Sequence, residues 1–426
     1  MKFPRLALLT LVLALPPVHA QKPEIVPKAQ GLSQGFSQER LKHIGQVMAQ
    51  EIEKGTMPGA VTLIARNGKI VHFEAHGWLD SEKKRPMVTN AVFRALSMTK
   101  PFVSVAAMML VEQGRLKLSD PISNWIPEMK NMKVLVEKKD ATGKVTREAV
   151  PATRQITVQD LLRHTSGLTY MGSAPFPEIK EAYAKADIES RESDVSPDEL
   201  VQRLSAIPLA WEPGTHWEYS VSVDVLGVLL ERVTGTRLDR LLDTMIFKPL
   251  KMVDTGFQLA SNQRARLADA FDSDPLKAPT WKWARVEEDP GKRYRLGGAG
   301  TVTTAMDYFR FAQMLLNGGE LDGVRLLSPK TVRYMLSDHI PNFPGSTEAT
   351  TGPGYGFGLG FAVRRQDGFA VVPGSSGDAM WAGLGGTSFT IDRKEKIVGV
   401  FMAQAPTPRL HTRFLFKDLL YAAFMD

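Results

Sequence analysis

The chain has 426 residues, a formal net charge of +7 and no cysteine. The lack of cysteine excludes thiol nucleophiles, disulfides, thiolate metal sites and a lipid anchor on an N-terminal Cys. Hydrophobic residues make up 43% of the chain and charged residues 23%, proportions typical of a globular enzyme. The modest positive charge forms no basic block, so nucleic-acid binding is not expected.

The first 20 residues have the pattern of a secretory signal peptide. Lys2 and Arg5 give a positive start, Leu6 to Leu15 form an apolar run, and Val18-His19-Ala20 fits a small-residue cleavage site. The apolar run is too short to span a bilayer. We therefore predict export to the periplasm or the medium, with no stable membrane insertion after the signal is removed.

A short lead-in separates the signal from the predicted domain. Residues 21–36 contain Gln, Pro and Gly and are typical of a loosely held terminus. The domain is predicted over residues 37–426. It begins with a helix that Ser37 can cap and that ends near Lys54, because apolar residues recur there with helical spacing.

Two strands are predicted next, and the second carries three polar residues on one face. Asn67-Gly68 is a strong hairpin turn, and residues 70–76 alternate between apolar and polar side chains. The polar face consists of His72, Glu74 and His76. These residues resemble a metal cluster. A solvated strand face is the preferred interpretation, because no second group of ligands is apparent, and no metal is predicted.

The strongest candidate for chemistry is Ser97-Met98-Thr99-Lys100, at the start of an amphipathic helix that Gly114 ends. A Ser and a Lys three apart share one helix face. A neutral Lys amine there helps to remove the hydroxyl proton, which makes a weak nucleophile competent. Ser81-Glu82-Lys83-Lys84 has the same spacing but lies in a charged run before Pro86, where a solvated turn is preferred. A helix cap is the alternative role for Ser97.

The middle of the chain, residues 120–295, has a mainly helical and loop-rich pattern. Thr157–Asp160 and Ser196–Glu199 resemble capping boxes that start helices. Residues 130–150 predict a basic surface hairpin, and a helix is predicted over residues 222–234.

The C-terminal third returns to strands. Gly297 to Gly300 opens a turn, Tyr355 to Val363 reads as a strand, residues 386–402 as a hairpin and residues 408–424 as a last helix. This order predicts an α+β fold with one antiparallel sheet built from both chain ends, into which residues 120–295 are inserted as a second, helical lobe. A cleft between the lobes is the expected location of an active site.

In combination and order, five segments of the chain resemble the serine β-lactamase-like superfamily. The chain is most similar to the family VIII carboxylesterases, which are similar to class C β-lactamases. The resemblance covers residues 37–426 and implies a β-lactamase/transpeptidase-like fold, with an antiparallel sheet flanked by helices. The segments are Ser97–Lys100, Leu161–Leu168, Tyr219–Val221, Gly297–Thr304 and Trp381–Gly383.

The resemblance implies a role for each matching residue. Ser97 is the nucleophile that becomes acylated, Lys100 shuttles its proton, and Tyr219 acts as general base together with Lys100. The backbone N–H groups of Ser97 and Leu384 form the oxyanion hole. No cofactor is implied. The third motif, which contacts substrate, consists of Trp381, Ala382 and Gly383.

Two departures from the class C pattern concern substrate choice. Val221 stands where those enzymes have Asn, and an apolar side chain there cannot hydrogen-bond Lys100 or a substrate amide. Trp381 replaces the Lys that helps to anchor the carboxylate of a β-lactam, and Trp favours apolar contact instead. Both changes are those of the esterase branch, and both point to small neutral or short-chain esters.

The prediction is thus an exported serine hydrolase whose partner is a small-molecule ester. The alternatives are an amide hydrolase of the same scaffold (β-lactamase, D-aminopeptidase or D,D-peptidase) and a non-catalytic penicillin-binding-like protein. Gly31–Gly35 fits the G-x-S-x-G elbow of α/β-hydrolases, but it lies in the lead-in rather than between a strand and a helix. His164 lies beside Ser166 and suggests a Ser-His pair, although a structural role at a helix end is preferred.

Overall fold

A computed structural model describes residues 34–189, 194–285 and 295–426. Within these ranges no helix is long and apolar enough to cross a lipid bilayer. The predicted signal peptide, residues 1–20, lies outside the described residues. So does Ser33, the serine of the elbow-like motif.

The central element is an antiparallel sheet of seven strands in the order β2-β1-β13-β12-β11-β10-β9. Three two-stranded pairs, β3 with β6, β4 with β5, and β7 with β8, lie outside it. The strands in chain order are β1 (Gly59–Arg66), β2 (Lys69–Gly77), β3 (Phe93–Arg94), β4 (Lys133–Lys139), β5 (Val145–Pro151), β6 (Val302–Thr303), β7 (Glu320–Leu321), β8 (Val324–Arg325), β9 (Tyr355–Phe357), β10 (Ala362–Arg364), β11 (Ala379–Ala382), β12 (Ser388–Asp392) and β13 (Ile397–Ala403).

Helices cover both faces of this sheet. In chain order they are α1 (Gln38–Glu53), α2 (Lys100–Glu112), α3 (Val158–Leu162), α4 (Pro177–Lys185), α5 (Pro197–Ser205), α6 (Ser222–Thr234), α7 (Leu238–Leu242), α8 (Ala305–Leu316), α9 (Pro329–Met335), α10 (Glu348–Thr351) and α11 (Arg409–Ala422).

Both chain ends contribute to the sheet, because the N-terminal hairpin pairs with the last strand. Leu63 of β1 is opposite Phe73 of β2 on one side and Val400 of β13 on the other. Asn67 and Gly68 both have positive φ, as the tight turn between β1 and β2 requires. The predicted α+β fold with an antiparallel sheet is confirmed.

Each face of the sheet packs against its own hydrophobic core. On the outer face, α1 and α11 pack together through side chains such as Ile44 and Leu420. On the inner face, α2 and α8 bring aromatic rings together, with the Phe102 ring 4.6 Å from Phe311 and 5.1 Å from Tyr308. Burial of such rings is a large apolar contribution to stability and fixes the position of α2. This packing therefore also fixes Lys100, the first residue of α2.

Local signals in the middle of the chain agree with the structure. Both capping boxes form, at Thr157 before α3 and at Ser196 before α5. The predicted hairpin over residues 130–150 corresponds to β4 and β5. The limits of the helical lobe, residues 120–295, stay a prediction.

The strand predicted over Tyr355 to Val363 is instead two strands, β9 and β10, which pair with each other. The chain reverses between them, where Gly360 has a φ of 94°. A Cβ on Gly360 would overlap the side chain of Ser104 on α2. Alternation of Gly with apolar residues was thus the signal of a turn packed against a helix and not of a continuous strand.

The solvated face predicted for β2 is wrong at two of its three polar residues. His72 and His76 are buried beneath α1, and each imidazole Nε2 lies within 2.9 Å of the hydroxyl of Thr62 on β1. Burial lowers the pKa of His76 to about 4. Only Glu74 is exposed, and one ligand atom from each of the three residues lies within 4.8 Å of the others.

Candidate active site

Ser97 lies in a 3₁₀ turn, Leu96–Thr99, that runs directly into α2. Leu96 has a φ of 47°, a left-handed conformation that a bulky side chain rarely adopts and that is typical of constrained functional turns. Two buried contacts hold the turn in place. The Tyr308 hydroxyl donates to the carbonyl of Met98 at 3.0 Å, and the hydroxyls of Thr99 and Thr301 lie 2.8 Å apart.

Two side chains meet the hydroxyl of Ser97. The Tyr219 hydroxyl donates to Ser97 Oγ at 2.7 Å, and Lys100 Nζ donates to the same atom at 3.3 Å. Lys100 is the first residue of α2 and is 1% exposed. Its Nζ also lies 4.7 Å from the centre of the Tyr219 ring. The structure therefore brings the hydroxyls of Ser97 and Tyr219 and the buried amine of Lys100 together, although 122 positions separate Ser97 from Tyr219 in the sequence.

A second set of contacts fixes Lys100. Its Nζ donates to the carbonyl of Gly298 at 2.8 Å, and the N–H of Gly298 donates to Asp224 Oδ1 at 3.0 Å. A Cβ on Gly298 would overlap the carboxylate of Asp224, so only glycine permits this approach. Asp224, in the first turn of α6, thus orients the peptide that holds the ammonium group.

The geometry also provides two candidate oxyanion donors. Ser97 and Leu384 line the same cavity, and within the described part of the chain their backbone N–H groups have no protein acceptor. Gly383 allows β11 to approach the Ser97 turn, because a Cβ there would overlap the carbonyl of Ala95 and the hydroxyl of Thr387. Free backbone N–H groups that border the cavity are the kind of donor that stabilises a tetrahedral oxyanion.

Trp381 does not contact the cavity as the resemblance implied. Its side chain is fully buried, with its ring 5.3 Å from Tyr219 and 5.2 Å from Phe357. Side chains alternate along a strand, so Ala382 lines the cavity and its neighbour Trp381 points into the core. The expectation that Trp381 contacts substrate is therefore wrong, and its ring packs against that of Tyr219 instead.

His164 is a neutral packing partner of Tyr219. Complete burial, with a smaller contribution from the charge of Lys100, lowers the pKa of His164 well below its usual value. Its ring lies 4.9 Å from the Tyr219 ring, and its Nδ1 accepts the backbone N–H of Ser220 at 3.3 Å. The tempting pair with Ser166 does not form, since the Ser166 hydroxyl bonds Ser222 instead.

The cavity above Ser97 has a volume of about 250 Å³ and walls that are mainly apolar. Tyr170, Ile188, Leu200 and Leu296 contribute to these walls. Val221, at the position where class C β-lactamases have Asn, also lines the cavity. A cavity of this size accommodates a small organic substrate.

Sequence reasoning missed several residues of this site. Asp224 gave no signal, because an acidic residue in the first turn of a helix is common for reasons of helix stability alone. Tyr170 lies in a loop, and its ring is 5.3 Å from that of Tyr219. Only Gly298 was indicated, as part of the glycine run before α8.

Comparison with known proteins found one matching family model and several proteins of similar sequence. A family model described as "Beta-lactamase" matches residues 44–421. Esterase EstB of Burkholderia gladioli is 31% identical over 366 residues, which cover 82% of this chain and 86% of that protein. The lovastatin esterase of Penicillium rubens is 30% identical over 383 residues, which cover 84% of this chain and 91% of that protein.

The fold is also found in solved structures. The structure of "EstCE1, a hydrolase with promiscuous acyltransferase activity" aligns with a TM-score of 0.73 and 28% sequence identity, covering 91% of this chain and 98% of its own. A penicillin-binding protein homologue from Caulobacter crescentus aligns with a TM-score of 0.66 at 20% identity, covering 91% of this chain and 99% of its own, and shows the fold alone.

Proposed function

Because the chain belongs to the β-lactamase family and is a serine hydrolase of that scaffold, we propose that it cleaves small, short-chain esters through an acyl-enzyme on Ser97. One observation carries the proposal: the Tyr219 hydroxyl and the Lys100 ammonium converge on a single serine oxygen, at 2.7 and 3.3 Å. We further propose that the protein acts after export, on the basis of the signal-like residues 1–20.

The proposed reaction begins with attack of Ser97 Oγ on the ester carbonyl carbon. Tyr219 reacts as the phenolate beside the ammonium of Lys100, so its oxygen accepts the proton that Ser97 Oγ loses, and Lys100 stabilises the negative charge on these oxygens. The N–H groups of Ser97 and Leu384 receive the oxyanion. The alcohol then leaves with the proton from Tyr219. Water attacks the acyl-enzyme in the same geometry, which releases the acid and restores Ser97.

Esters are favoured over amides by what surrounds the nucleophile. Val221 contributes no hydrogen-bonding group to the cavity wall, so a substrate amide finds no partner there. The position of the class C lysine is occupied by the buried ring of Trp381. Two relatives named as esterases, at 31% and 30% identity, agree with this choice.

The test compares p-nitrophenyl butyrate with a chromogenic cephalosporin on one purified sample. We expect ester turnover that clearly exceeds cephalosporin turnover, and a loss of both in Ser97→Ala. Ser81→Ala is a matched control, since Ser81 has the same spacing to a lysine but lies in a turn against Asp272. Full ester activity in Ser97→Ala would refute the proposal, and a preference for the cephalosporin would favour the amide-hydrolase alternative.

A further inference from the structure

The cavity above Ser97 has two arginines in its wall, and neither belongs to the catalytic group. Arg409 and Arg413 lie one turn apart at the start of α11, and both line the cavity. Arg413 is only 4% exposed. It also borders a second, smaller cavity on the outer face of the sheet. A buried guanidinium is costly unless it is paired, so its partners decide what the cavity can hold.

The partners of these arginines in the protein are backbone carbonyls. Arg413 donates through Nε to the carbonyl of Arg409 at 2.8 Å and through Nη1 to that of Thr350 at 3.0 Å. Arg409 donates through Nη1 to the carbonyl of Pro406 at 2.9 Å. Within residues 34–189, 194–285 and 295–426, neither guanidinium forms an ion pair with a carboxylate.

The acidic groups that border the cavity are engaged elsewhere. Asp224 accepts the N–H of Gly298, and Glu189 accepts the N–H of Met171 at 2.6 Å. Burial, with the nearby charge of Arg409, lowers the pKa of Arg413 to about 9, which still leaves the guanidinium protonated at neutral pH. The positive charge in this wall is thus poorly compensated by the described protein groups.

We propose that Arg409 and Arg413 form a subsite for an anionic group of the substrate, so that the preferred ester carries a carboxylate or a similar anion. This inference rests on the proposed ester hydrolysis and narrows it. The expectation of a neutral ester followed from the loss of a lysine at Trp381. In the folded chain, α11 supplies cations to the same cavity from a different direction. A planar guanidinium with unused donors suits a carboxylate.

The test measures kcat/KM for two pairs of esters that differ mainly in charge. Monoethyl adipate and diethyl adipate place the anion on the acyl side, and 3-acetoxybenzoate and its methyl ester place it on the alcohol side. We expect the wild type to prefer the anionic member of at least one pair by about tenfold or more, the effect of one charge-assisted contact. Arg409→Gln and Arg413→Gln should each remove most of that preference.

The readout is the ratio of kcat/KM for the anionic ester to kcat/KM for the neutral ester, measured on one preparation. A loss of folded enzyme lowers both values equally and leaves this ratio unchanged. Arg409→Gln guards against misfolding of the more deeply buried Arg413 variant. Arg264→Gln, at an exposed site away from the cavity, should keep the wild-type ratio. A wild-type preference for the neutral member in both pairs, or an unchanged ratio in both variants, would overturn the inference alone. No turnover of any ester above the Ser97→Ala background would overturn the proposed function as well.

Discussion

At the scale of single residues, the motifs predicted which side chains meet at the proposed active site but not which contacts hold them there. Ser97 and Lys100 could be found because their chemistry dictates residue type and local spacing, and Tyr219 could be found because it matches the second motif of the family that the chain resembles. The Gly298 peptide and the Asp224 carboxylate orient Lys100 through contacts 198 and 74 positions apart, which leave no local trace. For Trp381 the residue type could be used but the side-chain direction could not. The sequence shows that Trp replaces the class C lysine, whereas the pleat of β11 determines that the ring is buried against Tyr219.

Removal of the Tyr219 hydroxyl tests its role as base. Tyr219→Phe should lower kcat for p-nitrophenyl butyrate by about a hundredfold or more, the usual contribution of a positioned general base, and leave KM nearly unchanged. The ring contacts of Tyr219 with His164 and Trp381 remain in the variant, so its melting temperature should stay near that of the wild type. Tyr334→Phe, at an exposed tyrosine, is the control. A kcat close to that of the wild type would remove Tyr219 from the mechanism.

At the scale of elements, helix caps and turns could be predicted from the sequence more reliably than the burial of a strand face. Ser37, Thr157 and Ser196 each cap a helix as expected, because a cap depends on a few neighbouring residues. The polar face of β2 was misjudged for the opposite reason. Alternation of apolar and polar side chains indicates that a strand has two different faces. It does not indicate that the polar face is exposed, and here the packing of α1 against β2 buries His76.

The approach of β11 to the Ser97 turn gives a prediction for an element. Gly383→Ala should reduce ester turnover by about a hundredfold or more, the effect of losing one oxyanion donor. The new Cβ would overlap the carbonyl of Ala95, and the turn after β11 that carries Leu384 must then move away from Ser97. Gly172→Ala is the matched control, since Gly172 lines the same cavity but a Cβ there meets nothing within 4 Å. Equal activity in the two variants would show that the close approach of β11 is not needed.

At the scale of the whole molecule, both chain ends close one sheet, and a buried ion cluster fastens the last helix to it. Asp378 Oδ2 accepts from Arg364 Nε at 2.8 Å and from Lys417 Nζ of α11 at 3.0 Å. The α+β class and the pairing of the two ends were predictable from the order of patterns. The ion cluster was not, because its members come from β10, from the loop before β11 and from α11, and these segments share no motif.

The buried histidine between α1 and the sheet makes stability depend on pH. The pKa of His76 is about 4 in the folded protein against 6.5 for an ordinary histidine, so the folded state binds fewer protons. Its contribution is therefore complete above pH 6.5 and is lost as the pH falls towards 4, by about 3 kcal/mol in total. His76→Gln should remove this loss, whereas His43→Gln, at an exposed position of α1, should retain it.

Urea unfolding at pH 4.5 and pH 7.5, about the two ends of this titration, measures the effect. The free energy of unfolding of the wild type should fall more on acidification than that of His76→Gln. An equal fall in the two proteins would mean that His76 is not buried in its neutral form.

The most direct test of the central claim is to locate the covalent adduct after exposure to a fluorophosphonate. Peptide mass spectrometry should find one phosphonylated residue, Ser97, in the wild type and none in Ser97→Ala. Labelling of Tyr219→Phe should be much slower, because the variant lacks the phenolic oxygen that lies 2.7 Å from Ser97 Oγ and that we propose as the base. An unlabelled wild type, or an adduct on another serine such as Ser166 or Ser220, would contradict the account.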